Sequence, residues 1–260
     1  MKRKIDLESD FDFFKGEIIG SVLVLNFKDN LMLRATSLKT KSTIIDYLDQ
    51  LSRTEAIKVL LVVSSPNKTG REEYCQFYNQ VIQSALDINT VHKLFHAVDD
   101  FILKIKEINQ IVVHADSGNV LPLFLNISLA CDYRIVADNT VFQNPCLEYG
   151  LVPKGGGAFF LSKILGAGGA YRIMLSEEDI SAGEALKLGL VDEIAAFNEL
   201  RDVAFKVAED FASKPSRSLR CCKRLLNYSF KELREYLEFE TDELIKMIGP
   251  FGNGLAKGLG

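Results

Sequence analysis

Residues 57–63 read IKVLLVV, a compact apolar run with no polar alternation. A run this short is a strand, and one without alternation is a strand covered on both faces, as in a parallel sheet. Residues 111–113 (IVV) repeat the pattern. Between and before them lie helical patterns. Ile44, Ile45, Tyr47, Leu48 and Leu51 recur at helical spacing within 40–51, and 90–108 is a long amphipathic stretch. Residues 16–27 (GEIIGSVLVLNF) are β-rich, 64–73 are polar, and Asp116-Ser117-Gly118-Asn119 is a turn. Pro122 opens an apolar helix through residue 130, since proline fits a first helical turn whose N–H lacks an internal partner. Strands follow at 132–136 and 140–142, then a helix at 155–165. Such strand–helix repeats predict an α/β fold with a mainly parallel sheet and right-handed crossovers.

After Gly166 the pattern is nearly all helical. Ser181 followed by Glu184 is a capping box, and Gly189 ends that helix. Amphipathic segments cover 200–212 and 216–228. A final helix covers 231–248 and stops at Gly249-Pro250, before a glycine-rich tail that reads as frayed.

Composition excludes several classes. The chain has 260 residues, 47% hydrophobic and 25% charged, which is ordinary for a globular protein. Its net charge of −4 gives no reason to expect nucleic acid. The N-terminus has no apolar core of signal-peptide length, and no apolar run is long enough to span a membrane. The five cysteines are odd in number, one pair is adjacent, and no C-x-x-C occurs. That argues against a disulfide framework and a zinc site, and a reducing cytoplasm is the simplest setting.

The stretch NPCLEYGLVPKGGG (144–157) has the form of a strand end, a turn and a glycine-rich helix entry. Gly155-Gly156-Gly157 can cradle an anion at a helix start, though without P-loop or dinucleotide spacing. Lys154 is either a carboxylate or phosphate ligand or a solvated lysine. Glu148 is a candidate carboxylate. Cys146 is either a reactive thiol or a small buried hydrophobe. His92 and His96, at i and i+4, have metal-compatible spacing but no evident third ligand, so no metal is expected. His114 and Asp116 alternate on a strand end, as an acid–base pair or as structure.

Three segments in order, SLACDYRIVADNTVFQNP, GLVPKGGGAFFLSKILG and ISAGEALKLGLVDEI, resemble the enoyl-CoA hydratase/isomerase (crotonase) superfamily. The resemblance also takes in the strand–helix–strand of 22–63 and the helix KPSRSLRCCKRLLN. It implies a crotonase-like spiral of repeated ββα units over residues 1–193. A C-terminal helical region, 194–260, would serve trimerisation and cover the site. It implies an acyl thioester of coenzyme A as ligand, with no cofactor beyond the coenzyme A of the substrate. A homotrimer or hexamer is expected, with subunit contacts from Leu225, Leu226, Tyr228, Phe230, Tyr236, Leu237 and Phe239.

In that superfamily two backbone N–H groups hold the thioester oxygen as it becomes an enolate; fixed dipoles aimed at developing charge lower the barrier. Carried over by position, the oxyanion-hole donors fall on Tyr74 and Leu123. The usual alanine-glycine pair is replaced by Glu72-Glu73-Tyr74-Cys75, and a run of glycines by Pro122-Leu123-Phe124. The two hydratase carboxylates fall on Asn126 and Cys146. Hydration needs two groups that exchange protons, and an amide cannot be one of them. Candidate catalytic residues are therefore Glu148, Lys154, Asn126 and Cys146. Lys154 and Glu148 rank above Cys146, because an extended chain returns Glu148 to the face of residue 146. Gly155, Gly156 and Lys223 are candidate substrate-binding residues. Lys223 and its neighbour Arg224 would meet the nucleotide phosphates, against the alternative of a solvated basic face.

Overall fold

Strand β1 (Phe14–Ile19) turns at Gly20-Ser21 into the antiparallel strand β2 (Val22–Phe27). Gly20 takes φ +59° there, in the left-handed region that favours glycine. The chain then crosses through helix α1 (Leu38–Ser52) to β3 (Val59–Val63), and through α2 (Arg71–Gln83) and α3 (Ile88–Glu107) to β4 (Ile111–Asp116). The computed structural model describes residues 5–29, 31, 38–83 and 88–248. The expected stop at Gly249-Pro250 and the glycine-rich tail lie outside the described residues.

Two ββα units follow. The first is β5 (Asn119–Val120) with α4 (Pro122–Ala130), continuing from β4. The second is β6 (Tyr133–Ala137), β7 (Val141–Phe142) and α5 (Gly157–Met174). Then come β8 (Ile180–Ser181), α6 (Ala182–Leu188), β9 (Glu193–Ala195), α7 (Leu200–Ser213), α8 (Ser216–Asn227) and α9 (Leu233–Ile248). The main sheet has the order β1-β2-β3-β4-β6-β9, and every pair after β1–β2 is parallel. A small sheet, β5-β7-β8, takes the second strand of each unit. This is the α/β spiral of ββα units that the sequence implies.

Local chemistry explains the boundaries. The Ser181 hydroxyl accepts from Glu184 N–H while the Glu184 carboxylate accepts from Ser181 N–H, so the capping box is present. Pro122 starts α4 as expected. Gly166, at φ +70° and ψ 170°, interrupts α5, so its first continuous part ends where the sequence places the stop. One helix has no counterpart in the sequence reading: α2 begins at Arg71, inside the stretch read only as polar.

The main sheet is buried on both sides. Leu23, Leu25, Leu60, Val62 and Val112 face the larger core. Val24, Val59, Leu61, Val113 and Ile135 face the other way, against Leu200, Ala204 and Ala208 of α7. Ala204 and Ala208 are fully buried, and their small side chains let α7 lie close on the strands. Helix α9 packs on α3, at the far side of the larger core. Ala204→Leu should therefore overpack the α7–sheet interface and cost about 1–3 kcal/mol. A urea midpoint that does not fall would contradict this close packing.

Candidate functional site

Between α2, α3 and α4 lies an apolar cavity of about 140 Å³. Tyr74 and Tyr78 of α2, Phe95 and Phe101 of α3, and Leu123 of α4 are in its wall, together with Cys146 and Lys154. It is concave, aromatic and nearly closed to polar groups, the usual character of a small-molecule site.

The first turn of α4, Pro122, Leu123 and Phe124, is in the wall. Helix starts leave their first N–H groups without intrahelical partners. Phe124 and Leu125 N–H both bond Leu121 C=O, at 2.9 and 3.0 Å. Leu123 N–H has no backbone partner among the described residues. The other expected donor, Tyr74 N–H, is bonded within the chain. Tyr74 lies in the first turn of α2, and its N–H bonds Gly70 C=O at 3.2 Å. It is the Tyr74 side chain that reaches the cavity. Its hydroxyl donates to Cys146 Sγ at 3.2 Å, and its ring stacks on Tyr78.

Cys146 is buried, and burial pushes its thiol up to about 12, against the hydrogen bond from Tyr74. It stays protonated at neutral pH and is a poor base. Asn126 is buried as well. Its Nδ2 donates to Lys154 C=O at 2.9 Å, which fastens α4 to the loop before α5. A Cβ on Gly157 would come within 2.9 Å of that amide, so the third glycine serves close packing.

Glu148 does not return to the face of Cys146. Residues Leu147–Tyr149 form a single 3-10 turn, in which positions two apart diverge. Its carboxylate pairs at the surface with Arg71, which also holds Asp179 at 2.8 Å. Lys223 is not on a solvated face either. It is buried, donates to Ile105 and Gln110 C=O at 3.0 and 2.8 Å, and pairs with Asp132 at 2.7 Å. A lysine at the carbonyl end of α3 is a helix cap, and this one has no donor left for a phosphate. Arg224 beside it is exposed.

Lys154 is the largest departure from expectation. Its Nζ pairs with Asp99 of α3 and lies 3.0 Å from Glu240 of α9. All three side chains are almost fully buried. Glu240 also accepts from Gly155 N–H at 2.8 Å and Gly156 N–H at 2.9 Å. Both glycines have positive φ, +105° and +81°, which turns their N–H groups toward one point. The anion expected at this helix entry is thus the protein's own carboxylate. Thr241 Oγ1 donates to Asp99 at 2.9 Å. Burial raises the Asp99 carboxyl, with Lys154 and Thr241 opposing. Burial also raises the Glu240 carboxyl, with Lys154 and the two glycine N–H groups opposing.

Asp99, Glu240 and Thr241 are absent from the sequence-based candidates, yet a signal exists. Leu233, Leu237, Glu240, Thr241 and Leu244 share one helical stripe, and all are buried. Asp99 lies likewise among Phe95 and Ile102. A charge at a core position of an amphipathic helix calls for a buried partner.

His114 and Asp116 are not a pair. The His114 ring lies 3.1 Å from Ser64 Oγ and 2.9 Å from Ser128 Oγ, and burial lowers it to about 4. Asp116 pairs with Lys68. The His92 and His96 ring centroids lie 4.5 Å apart with the planes tilted by 54°, and no group of three metal-ligating side chains occurs among the described residues.

Comparison with known proteins follows the same lines. Residues 17–249 match the family model for enoyl-CoA hydratase/isomerase. A short-chain-enoyl-CoA hydratase of Clostridium acetobutylicum is 30% identical over 132 residues, so the chain spans about half of that relative (51%) and 50% of itself is matched. A crotonyl-CoA hydratase of Syntrophomonas wolfei is 24% identical, over 80% of each chain. A trans-2-decenoyl-[acyl-carrier-protein] isomerase of Streptococcus mutans is 24% identical, over 82% of this chain and 81% of that one. Among solved structures, an enoyl-CoA hydratase from Bacillus halodurans has the same fold, with a TM-score of 0.78 at 20% identity, over 92% of this chain and 96% of that one. With the family match running through the sheet, the cavity wall and α9, the chain belongs to the enoyl-CoA hydratase/isomerase family.

Proposed function

We propose that this protein binds an acyl thioester of coenzyme A, acyl chain in the apolar cavity and thioester oxygen at Leu123 N–H, and that it does not hydrate it. The observation that carries the reading is that Leu123, whose N–H has no backbone partner among the described residues, lines an apolar cavity. A helix N-terminus favours the negative charge of an enolate oxygen. Family membership supplies the acyl-CoA class, and the name of one relative, a crotonyl-CoA hydratase, agrees with it. An apolar cavity of roughly 150 Å³ takes a molecule the size of benzene, so an acyl group of about six carbons suits this one.

Hydration lacks its groups. Asn126 is an amide bonded to main chain, Cys146 is a protonated thiol, and Glu148 is on the surface. The second reading is a binder with no turnover, as a CoA-ester carrier or a subunit of a larger assembly. The Tyr74 N–H held inside α2 favours it, since loss of one oxyanion donor costs about 10²–10³ in rate.

Leu225, Leu226, Tyr228 and Phe239 are exposed, whereas Leu237 is buried and Phe230 and Tyr236 pack on Phe159. The four exposed side chains support a subunit contact, and a homotrimer or hexamer is the assembly proposed. A cytoplasmic setting suits five free thiols, two of them exposed. No helix among the described residues is long and apolar enough to cross a membrane.

Crotonyl-CoA should be hydrated at less than roughly 1 per second, below the usual enzyme range; a faster rate in a purified preparation sinks the no-hydration reading. Calorimetry should find hexanoyl-CoA bound at least about tenfold more tightly than its dicarboxylic counterpart adipoyl-CoA, because Lys154 is already matched by Asp99 and Glu240. Equal affinities would show that Lys154 is available to a ligand carboxylate. Sedimentation at micromolar concentration should give a trimer or hexamer, and a monomer would remove the subunit contact.

A further inference from the structure

Lys154, Asp99 and Glu240 form a cluster of one cation and two carboxylates, one negative charge in excess. It draws on three separate elements: the loop before α5, α3 and α9. A buried ion cluster of this kind gives weak stability compared with apolar packing of the same volume. Ionisable groups held together beside a cavity are a functional-site signal, and Lys154 is in the cavity wall. The Gly155 backbone, next in the chain, packs against α4: a Cβ there would lie 3.5 Å from Leu123 Cδ1 and 3.3 Å from Asn126 Cβ. Lys154 and Leu123 both line this cavity.

We infer that Lys154 is a catalytic residue that moves a proton at the carbon next to the thioester carbonyl, with Asp99 and Glu240 as its positioning residues. The inference rests on the acyl-thioester reading above. The cluster replaces, with different groups on different elements, the two carboxylates missing at Asn126 and Cys146. One carboxylate first accepts a proton from the Lys154 ammonium. The neutral amine then takes the proton from the substrate carbon. The C–H bond breaks, an N–H bond forms, and the electron pair moves onto the thioester oxygen, where Leu123 N–H donates to it. Return of the proton regenerates the thioester, and the cluster passes its borrowed proton back to Lys154. No oxidant, reductant or water is consumed. One group that takes and returns a proton suffices for exchange or for a double-bond shift, whereas hydration needs a second.

The geometry fits the role. Each carboxylate has anchors besides Lys154, Thr241 for Asp99 and two main-chain N–H groups for Glu240. Burial of both carboxyls brings their proton affinity closer to that of an amine. Among the described residues, other titratable groups around the cluster are His96 on α3, 3.7 Å from Asp99, Tyr236 on α9 and Tyr78 on α2. Beyond them lies the Tyr74–Cys146 pair.

The test is proton exchange of hexanoyl-CoA in heavy water, followed by loss of the C2 proton signal in NMR. Wild type should exchange. Lys154→Met should slow exchange by about 100-fold or more while hexanoyl-CoA affinity is unchanged. Should that variant fail to fold, with two carboxylates left facing each other, Lys154→Met with Glu240→Gln keeps one carboxyl to be protonated and should show the same loss. Glu240→Gln alone should keep measurable exchange. Exchange in wild type rises with pH as the raised carboxyls ionise; removing one negative charge should move that rise to lower pH. Wild-type exchange in the double variant overturns the role of Lys154, and an unmoved pH profile in Glu240→Gln overturns that of Glu240. Wild type that binds hexanoyl-CoA without exchanging overturns the inference and leaves the binding reading intact. Wild type that does not bind it removes the reading on which the inference rests.

Discussion

A parallel sheet whose strands carry apolar side chains on both faces must be covered twice, and the rest of the molecule follows from that constraint. One cover is the group of helices that surrounds the cavity. The other is α7, brought close by Ala204 and Ala208. Because the second cover comes from beyond residue 193, the C-terminal helices are part of the same core as the strands. The cavity lies on the helical side, where α2, α3 and α4 leave room between aromatic side chains.

The charge balance of the site is set within the chain. Two left-handed glycines and a lysine make a concave donor set, and Glu240 fills it. In the absence of Glu240 this set would suit a ligand carboxylate. With it, the cavity wall has no uncompensated positive charge among the described residues, and a neutral acyl chain is the better match. The same contacts fix the lysine in place, since a side chain with many rotamers is restrained by partners on three elements.

Much of the fold was legible because its signals are local. The apolar run at 57–63, proline at the head of α4, the Ser181–Glu184 box and the glycine stop at Gly166 each report a local requirement of the backbone. Helix α2 was less legible, since Glu72, Glu73, Gln76, Asn79 and Gln80 mask a stripe of Tyr74, Phe77, Tyr78 and Val81 at helical spacing. Tyr74, the first expected donor, lies in the first turn of that helix. The site was legible only in part. Lys154, Cys146, Leu123 and Tyr74 are all in the cavity wall, but their partners are not predictable from spacing along the chain. Asp99 lies 55 positions and Glu240 86 positions from Lys154, and only the tertiary fold joins them. Glu148 went astray for a smaller reason, a 3-10 turn where an extended segment was assumed.

The separation of Lys154 from its last partner also bears on biosynthesis. A chain emerging from the ribosome presents the lysine and the glycine N–H groups well before α9 exists. Domains consolidate from the N-terminus as synthesis proceeds, and long-range contacts form late because their loops are costly to close. Of the partners in the folded site, only Asp99 precedes Lys154 in the chain, and the Gly155 and Gly156 N–H groups wait for Glu240. Docking of α9 therefore brings Leu233, Leu237 and Leu244 into the larger core and the Glu240 carboxylate onto the Gly155 and Gly156 N–H groups together, so one contact completes both the apolar packing and the polar pairing at that end.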